Sequence, residues 1–425
     1  MKEDFLHYLW KFKKFQTNTL KTQIGEPIEI VSVGEHNFNS GPDFFNAKLK
    51  IGIQLWAGNV EIHVKSSDWF LHNHEQDKAY DNVILHVVWE HDTEIFRKDN
   101  TVIPTLQLKD FIADNVLNNY QKLFNKKHTW INCETEFASV DDFLIKNWLE
   151  RLYFERLEQK SETIQALLQA SQNDWEAVLF KMLTKNFGLK VNGDSFFSLA
   201  NSIDFSVIRK TQNNLETLEA LLFGQAGFLN DDFQDLYYLG LVKEYAFLKQ
   251  KFKLENNHVL PMQFFRLRPP NFPTIRISQL SSLYYKHQNL FSKIIEINTL
   301  QGFYDLFKVS TTAHWETHYT FQKVSKASTK LLTKSFVDLL LINTIIPLKF
   351  CYAKQKGENI DELILSLGTT IQSEKNSIIN AFNDLIKVSN SALDSQALIQ
   401  LKTHYCDKNR CLKCAVGNSI ISQNF

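Results

Sequence analysis

The first 125 residues contain both hydrophobic periods of regular secondary structure, the helical period and the strand period. Apolar residues recur at helical spacing between positions 4 and 15, and four strand-like runs follow. The pattern predicts a helix, three strands in a meander, a short helix within residues 66–82 and a fourth strand, an order written αβββαβ. The predicted strands cover residues 28–36, 44–56, 59–66 and 83–91, and a fifth is predicted near 101–108.

From about residue 140 onward, the apolar residues keep helical spacing. The most apolar run, residues 336–350, contains Asp338, Asn343 and Pro347, so we predict a buried helix there rather than a membrane span. The fold class is therefore α+β. It comprises a sheet domain of the order αβββαβ at residues 1–125, a helical domain at 126–400 and a cysteine-cluster tail at 401–425 packed on the rest.

The distribution of charge along the chain bears on which partners the protein could bind. The 47 basic and 47 acidic residues cancel, which by itself argues against a polyanion partner. Residues 1–125 hold 13 basic and 17 acidic side chains, residues 126–239 hold 11 and 17, and residues 240–425 hold 23 and 13. The last third is therefore a basic segment attached to an acidic remainder. The acidic N-terminus does not resemble a signal peptide, so we expect a cytoplasmic protein without a membrane partner.

The most informative segment for chemistry is residues 41–69. Asp43 opens the second predicted strand, and Glu61, His63 and Lys65 alternate along the third. Side chains at alternate strand positions share one face, so these three point the same way. Acids on two neighbouring strands, with a cation beside them, can bind Mg²⁺ or Mn²⁺ and activate water. The structural alternatives are a turn role for Asp43 and a solvated ion pair between Glu61 and Lys65.

These residues, in this strand order, resemble the PD-(D/E)xK nuclease superfamily. Pro42-Asp43 matches its first element and Glu61 its second acid. His63 stands where that superfamily has lysine, and Lys65 lies on the same face. The resemblance covers about the first 125 residues. It implies metal binding by Asp43 and Glu61, with His63 or Lys65 positioning the attacking water.

Nearly the full chain also resembles an uncharacterised bacterial family, a domain of unknown function. The blocks GPDFFNAK, GNVEIHVKSSDW and FRLRPPNFPTIRISQL carry this resemblance. It implies no established activity.

Three more histidines lie near the predicted cleft. His72 and His74 would diverge on a helix, because positions i and i+2 do not share a face. We therefore expect one of them to face the cleft and contact phosphate or bound water, in preference to a zinc site formed with Asp77. His86, inside the fourth strand, is predicted to be a hydrogen-bonded core residue.

Three of the five cysteines, Cys406, Cys411 and Cys414, fall within nine residues. This density predicts a metal site in a reducing compartment, holding either zinc or a [4Fe–4S] cluster. The candidates for the fourth ligand are His404, Cys133 and Cys351. A histidine ligand would favour zinc, whereas four thiolates also suit iron–sulfur. Some nucleases of the superfamily named above join three C-terminal cysteines to a distant upstream one, and that resemblance implies Cys133.

Arg266, Arg268 and Arg276 flank three prolines and Phe272 in the basic third of the chain. Arginines on a rigid loop beside an aromatic ring can bind phosphate and stack on bases, whereas the structural alternative pairs them with helix ends and acids. The leading hypothesis is a metal-dependent phosphodiesterase (a hydrolase) acting on DNA or RNA. The alternatives are a catalytically inactive nuclease-fold protein that binds nucleic acid or serves as a scaffold, and a metal-stabilised interaction protein.

Overall fold

A computed structural model describes residues 1–125 and 129–423. The chain divides into two compact units. The first unit comprises Met1–Trp148, Asp384–Ile386 and Leu401–Phe425, and the second comprises Leu149–Asn383 and Lys387–Gln400. The predicted cysteine-cluster tail thus lies in the unit that contains the sheet. The predicted mixture of an N-terminal sheet and a large helical region is confirmed.

The N-terminal part of the chain contains three helices and six strands. The helices are α1 (Glu3–Phe12), α2 (Asp68–Leu71) and α3 (Asp114–Phe124). The strands are β1 (Ile28–Ser32), β2 (Glu35–His36), β3 (Phe44–Ile51), β4 (Gln54–Lys65), β5 (Val83–Glu90) and β6 (Thr105–Gln107). The predicted order of helices and strands is confirmed, except that the predicted strand 28–36 is divided into β1 and β2.

The six strands form one mixed sheet in the order β1-β3-β4-β5-β6, with β2 also pairing with β3. The pairs made by β1, β2 and β3 are antiparallel, and β4, β5 and β6 run parallel. Residues 83–88 of β5 are buried, as its continuous apolar run predicts for a central strand. Helix α1 packs on β4 and buries Phe5, Leu9 and Trp10.

One strand boundary in the hairpin differs from the prediction. The chain reverses at Gly52, whose φ of +61° suits glycine, and Ile51 pairs with Gln54 across the turn. The predicted strand 44–56 therefore ends at residue 51. Continued alternation would put Ile53 on the same face as the buried Ile51, but Ile53 lies at the tip and is 99% exposed. Apolar and polar residues alternate both before and after Gly52, so periodicity alone does not show where the turn lies.

The remainder of the described chain is mainly helical. Its helices are α4 (Asp142–Ala170), α5 (Trp175–Phe187), α6 (Leu189–Asn201), α7 (Phe205–Thr211), α8 (Leu215–Gln225), α9 (Leu236–Phe252), α10 (Pro273–Lys286), α11 (Leu290–Glu296), α12 (Leu300–Leu306), α13 (Lys334–Leu340), α14 (Ile346–Lys356), α15 (Asp361–Thr370), α16 (Ser377–Leu385), α17 (Ala392–Gln400) and α18 (Ala415–Ser422). A two-stranded sheet joins β7 (His318–Thr320) to β8 (Lys323–Val324). Turns of π-helix occupy Leu341–Ile345 and Leu401–Cys406.

Helices α13 and α14 join through a π-helical turn into the continuous run Lys334–Lys356. By length and composition, this is the one helix among the described residues that could cross a membrane. However, 78% of its most apolar window is buried within the protein. That burial agrees with the predicted core helix.

Candidate metal centre

The β3–β4 hairpin brings Asp43 and Glu61 together. Phe44 pairs with Val60, so the residue before β3 lies beside the middle of β4. The backbone N–H of Asp43 donates to Glu61 Oε2 at 3.1 Å, and the N–H of Ile62 donates to Asp43 Oδ2 at 2.9 Å. Glu61 is only 4% exposed. The alternative of a solvated ion pair with Lys65 is therefore wrong for Glu61.

The carboxyl groups of Asp43 and Glu61 lie close together, so negative charge on both would be repulsive. The pKa of Glu61 is raised well above its ordinary value, first because the side chain is buried and then because Asp43 is close by. Either a proton or a bound cation relieves this repulsion. A cation is the more effective partner here because it can interact with both carboxylates at once.

Three histidines from two segments surround the carboxylate of Glu61. His63 Nε2 lies 3.4 Å from Glu61 Oε1, and His74 Nε2 lies 3.3 Å from the same oxygen. His72 Nδ1 lies 3.1 Å from His63 Nε2. The ligand atoms of the three histidines fall within 4.8 Å of one another. Two of these histidines also contact Glu61, so nitrogen donors lie beside a carboxylate oxygen, and transition metals accept both kinds of ligand.

The prediction that His72 and His74 diverge is wrong because the segment is not helical there. Helix α2 ends at Leu71, and Asn73 adopts a left-handed conformation with φ of +59°. This reversal points both imidazoles at His63. Asp77 instead caps the next turn, where its Oδ1 accepts the N–H of Ala79 at 2.9 Å.

His86 supports the imidazole of His63 from β5. It lies opposite Glu61 in the parallel β4–β5 register, and its Nε2 is 2.9 Å from His63 Nδ1. Burial, followed by nearby histidines, lowers the pKa of His63 to about 3 and places that of His86 well below its ordinary value. His63 is therefore neutral, and a His63 that binds metal through Nε2 donates its Nδ1 proton to His86. The prediction of a hydrogen-bonded core histidine at position 86 is confirmed.

A second group of ligand atoms comes from helix α1. Glu3, His7 and Asp43 place one ligand atom each within 4.8 Å of one another. His7 Nε2 lies 3.2 Å from Asp43 Oδ2 without an aligned hydrogen bond. Burial lowers the pKa of His7, but Asp43 and Glu3 outweigh it, so the pKa is raised. Sequence reasoning missed Glu3 and His7, although their i, i+4 spacing on an amphipathic helix was an available signal.

Other predicted site residues lie apart from these two groups. Lys65 is exposed at the end of β4, and no contact among the described residues joins its amino group to Glu61 or Asp43. Arg266 and Arg268 are exposed in the second unit. Arg276 is 6% exposed and stacks on Phe336, 3.6 Å from the ring centre. It also donates to Gln279 and Asn271, so its contacts are internal, although neither partner is one of the acids that the structural alternative names.

Four of the five cysteines line one cavity in the first unit: Cys133, Cys406, Cys411 and Cys414. The other two candidate fourth ligands have different surroundings. Cys351 lies in α14, in the second unit, 3.9 Å from the carbonyl of Ser161. His404 Nδ1 lies 2.9 Å from Thr403 Oγ1.

Comparison with known proteins identifies a family. The model described as "Protein of unknown function (DUF2851)" matches residues 3–377. The chain belongs to this family. The DUF2851 match spans both histidine–carboxylate groups and ends before Cys406, and it confirms the resemblance to an uncharacterised family. No curated protein and no solved structure matches the chain.

Proposed function

We propose that the protein is a divalent-metal-dependent phosphodiesterase that hydrolyses DNA or RNA. One observation carries this proposal: the buried carboxylate of Glu61 lies between two groups of metal-ligand side chains. It contacts His63 and His74 on one side, and it accepts the N–H of Asp43 on the other. A pair of neighbouring metal sites is the arrangement that stabilises both the attacking and the leaving oxygen of a phosphodiester.

The donor sets fit Mn²⁺ better than Mg²⁺. Imidazole nitrogens suit transition metals, whereas Mg²⁺ prefers oxygen ligands and water. Glu61, His63, His72 and His74 would hold one ion, and Glu3, His7 and Asp43 would hold the second. Divalent ions held there would place positive charge beside the scissile phosphate and activate water.

The surrounding residues keep the ligands in position. The hydrogen bond to His86 fixes the ring of His63, and the reciprocal backbone bonds fix Asp43 against Glu61. In this proposal, His63 replaces the lysine of related nucleases and serves as a metal ligand rather than as a base. Lys65, exposed on the same strand, would contact the phosphate.

Two features support a nucleic-acid substrate. The order αβββαβ, with one acid before the second long strand and one on the third, resembles the PD-(D/E)xK nucleases, and we propose a restriction-endonuclease-like origin for the sheet. Residues 240–425 carry ten more basic than acidic side chains, with Arg266 and Arg268 exposed. Exposed basic side chains such as these attract polyanions.

The test compares two buried glutamates. Glu61→Gln removes the central carboxylate charge, whereas Glu219→Gln makes the same change at a buried glutamate of the second unit. Metal-depleted full-length protein is titrated with Mn²⁺ and with Mg²⁺ by calorimetry, and cleavage of single- and double-stranded DNA and RNA is then measured. We expect tighter Mn²⁺ binding and Mn²⁺-dependent cleavage, both lost in Glu61→Gln and kept in Glu219→Gln.

Two outcomes contradict the proposal. If the wild-type protein binds no divalent metal, the site is structural. If it binds metal and nucleic acid but cleaves neither DNA nor RNA, the protein is the inactive nuclease-fold module that the sequence left as an alternative. Salt-sensitive binding without cleavage is the signature of that alternative.

A further inference from the structure

A cavity lined by four cysteine side chains lies between residues 131–137 and the C-terminal segment of the first unit. We call it the thiol cavity. Its sulfur-bearing residues are Cys133, Cys406, Cys411 and Cys414. Much of the remaining wall is apolar and includes Ile131, Phe137, Leu401 and Val416. All four cysteines are free thiols, and residues from two distant stretches of sequence meet there.

Short irregular turns, rather than one regular element, aim three of the thiols inward. Cys406 ends a π-helical turn, Cys411 begins a turn of 3₁₀-helix, and Cys414 caps the N-terminus of α18. Gly417 allows α18 to approach closely, because a Cβ there would lie 2.2 Å from the carbonyl oxygen of Cys411. Glycine at this position therefore lets the turn that carries Cys411 pack directly against α18.

A hydrogen-bond donor contacts one of the sulfurs. The side-chain amide of Asn132 donates to Cys411 Sγ at 3.6 Å. Donors of this kind stabilise thiolates that are bound to metal and tune them electronically. An inert thiol in an apolar core needs no such donors.

The spacing of the sulfurs distinguishes the two kinds of centre. A single tetrahedral zinc with bonds of about 2.3 Å holds its four sulfurs about 3.8 Å apart. No three of the cysteine sulfurs in the described part of the chain lie within 4.8 Å of one another. In a [4Fe–4S] cluster each thiolate binds a different iron, so the sulfurs stand farther apart around a larger centre.

We propose that the thiol cavity binds a [4Fe–4S] cluster through its four cysteines. The cluster fastens the segment 401–423 to residues 131–137 and holds α18 against α3. Asn119 on α3 already donates to the carbonyl oxygens of Ile420 and Gln423 at the end of α18. The role is structural and is independent of the histidine–carboxylate site.

The first test measures what the wild-type chain contains. Full-length protein is purified without oxygen and assayed for iron, acid-labile sulfide and zinc, and its visible absorption spectrum is recorded. We expect equal amounts of iron and sulfide, with several of each per chain, and the broad absorption of a thiolate-ligated cluster. Zinc without sulfide, disulfides among the four cysteines, or four thiols that react freely in the native protein would each overturn the proposal.

The second test uses matched cysteine variants. Cys406→Ser removes a half-buried ligand, and Cys351→Ser makes the same change at a buried cysteine of the second unit. We expect the first variant to lose most of its iron and sulfide and the second to keep both. Loss of iron in both variants, or in neither, contradicts the assignment. Glu61→Gln is expected to keep the cluster, which separates this inference from the proposed hydrolysis.

Discussion

Buried polar groups are arranged differently in the two units. In the first unit, Glu61 and His63 are nearly inaccessible, and they direct ligand atoms toward other ligand atoms. In the second unit, Lys349 is equally buried, but its ammonium donates to three backbone carbonyls of residues 294–297. Lys160 likewise donates to Gln396 and to the carbonyl of Ile342.

This difference distinguishes a candidate functional site from buried polar residues whose role is structural. A buried charge surrounded by its natural hydrogen-bond partners is already satisfied and needs nothing further. Carboxylates and imidazoles that lie within ligand distance of one another can bind one cation together. Burial alone does not identify a functional site, whereas the convergence of several metal-ligand side chains makes a site a candidate.

The largest effect is expected when a convergent ligand is removed. His74→Asn takes one imidazole from the group around Glu61, and we expect Mn²⁺ affinity to fall by more than about 100-fold, because even supporting residues of metal sites contribute up to that amount. His318→Asn is the control, since His318 stacks on another histidine, His314, in the second unit. Calorimetric titration measures both, and equal losses would contradict the distinction between the units.

The next largest effect concerns pH and a buried carboxyl of the second unit. Burial raises the pKa of Glu219 from its ordinary 4.5 to about 7, although hydrogen bonds from Tyr237 and Thr312 offset part of the rise. The folded protein then binds this proton more tightly than the unfolded chain does. Stability that is present below pH 4.5 is therefore lost as the pH rises through about 7, by about 3 kcal/mol at most.

Urea unfolding at pH 4.5 and at pH 8 measures this loss. Glu219→Gln cannot titrate, so its stability should fall by about 3 kcal/mol less than that of the wild type between the two pH values. The same pH dependence in both proteins would show that Glu219 stays ionised in the fold.

A smaller effect is expected one step away from the metal ligands. His86→Phe removes the acceptor for the Nδ1 proton of His63, and we expect Mn²⁺ affinity to fall by about 10- to 100-fold. His86→Gln retains an acceptor and should lose less, which a purely steric role would not predict. The exposed His258, changed to Phe, is the control. Unchanged affinity in His86→Phe would show that His63 does not depend on this contact.

The smallest effect is expected at Lys65. The side chain is exposed, so Lys65→Ala should change stability by less than about 0.5 kcal/mol and leave Mn²⁺ affinity intact. Cleavage rates decide its role. A large loss of cleavage with normal metal binding would show that activation of water by the bound metal is not sufficient. Lys65 would then have the role that the motif lysine has in the PD-(D/E)xK nucleases, which is to position the attacking water.

Much of the candidate metal centre could be predicted from the alternation of residues along one strand. Period 2 placed Glu61 and His63 on one face, and Pro42-Asp43 was identified as the neighbouring acid. His72 and His74 were identified, but their joint approach to His63 was not, because it depends on the left-handed conformation of Asn73. Glu3 and His7 were missed because a single helical pattern does not tell which polar residues another element will meet.

The hydrophobic periods were enough for the order of helices and strands, because both periods follow from local backbone geometry. The residue types also fixed the chemical nature of each donor. Which donors meet depends on the tertiary structure: the turn at Gly52 and the bulge between Phe44 and Ala47 together set the register of Asp43 against Glu61, and parallel pairing of β4 with β5 brought His86 to His63. The same holds for Cys133 and the C-terminal thiols. Such meetings depend on loop conformation and register, which no local pattern encodes.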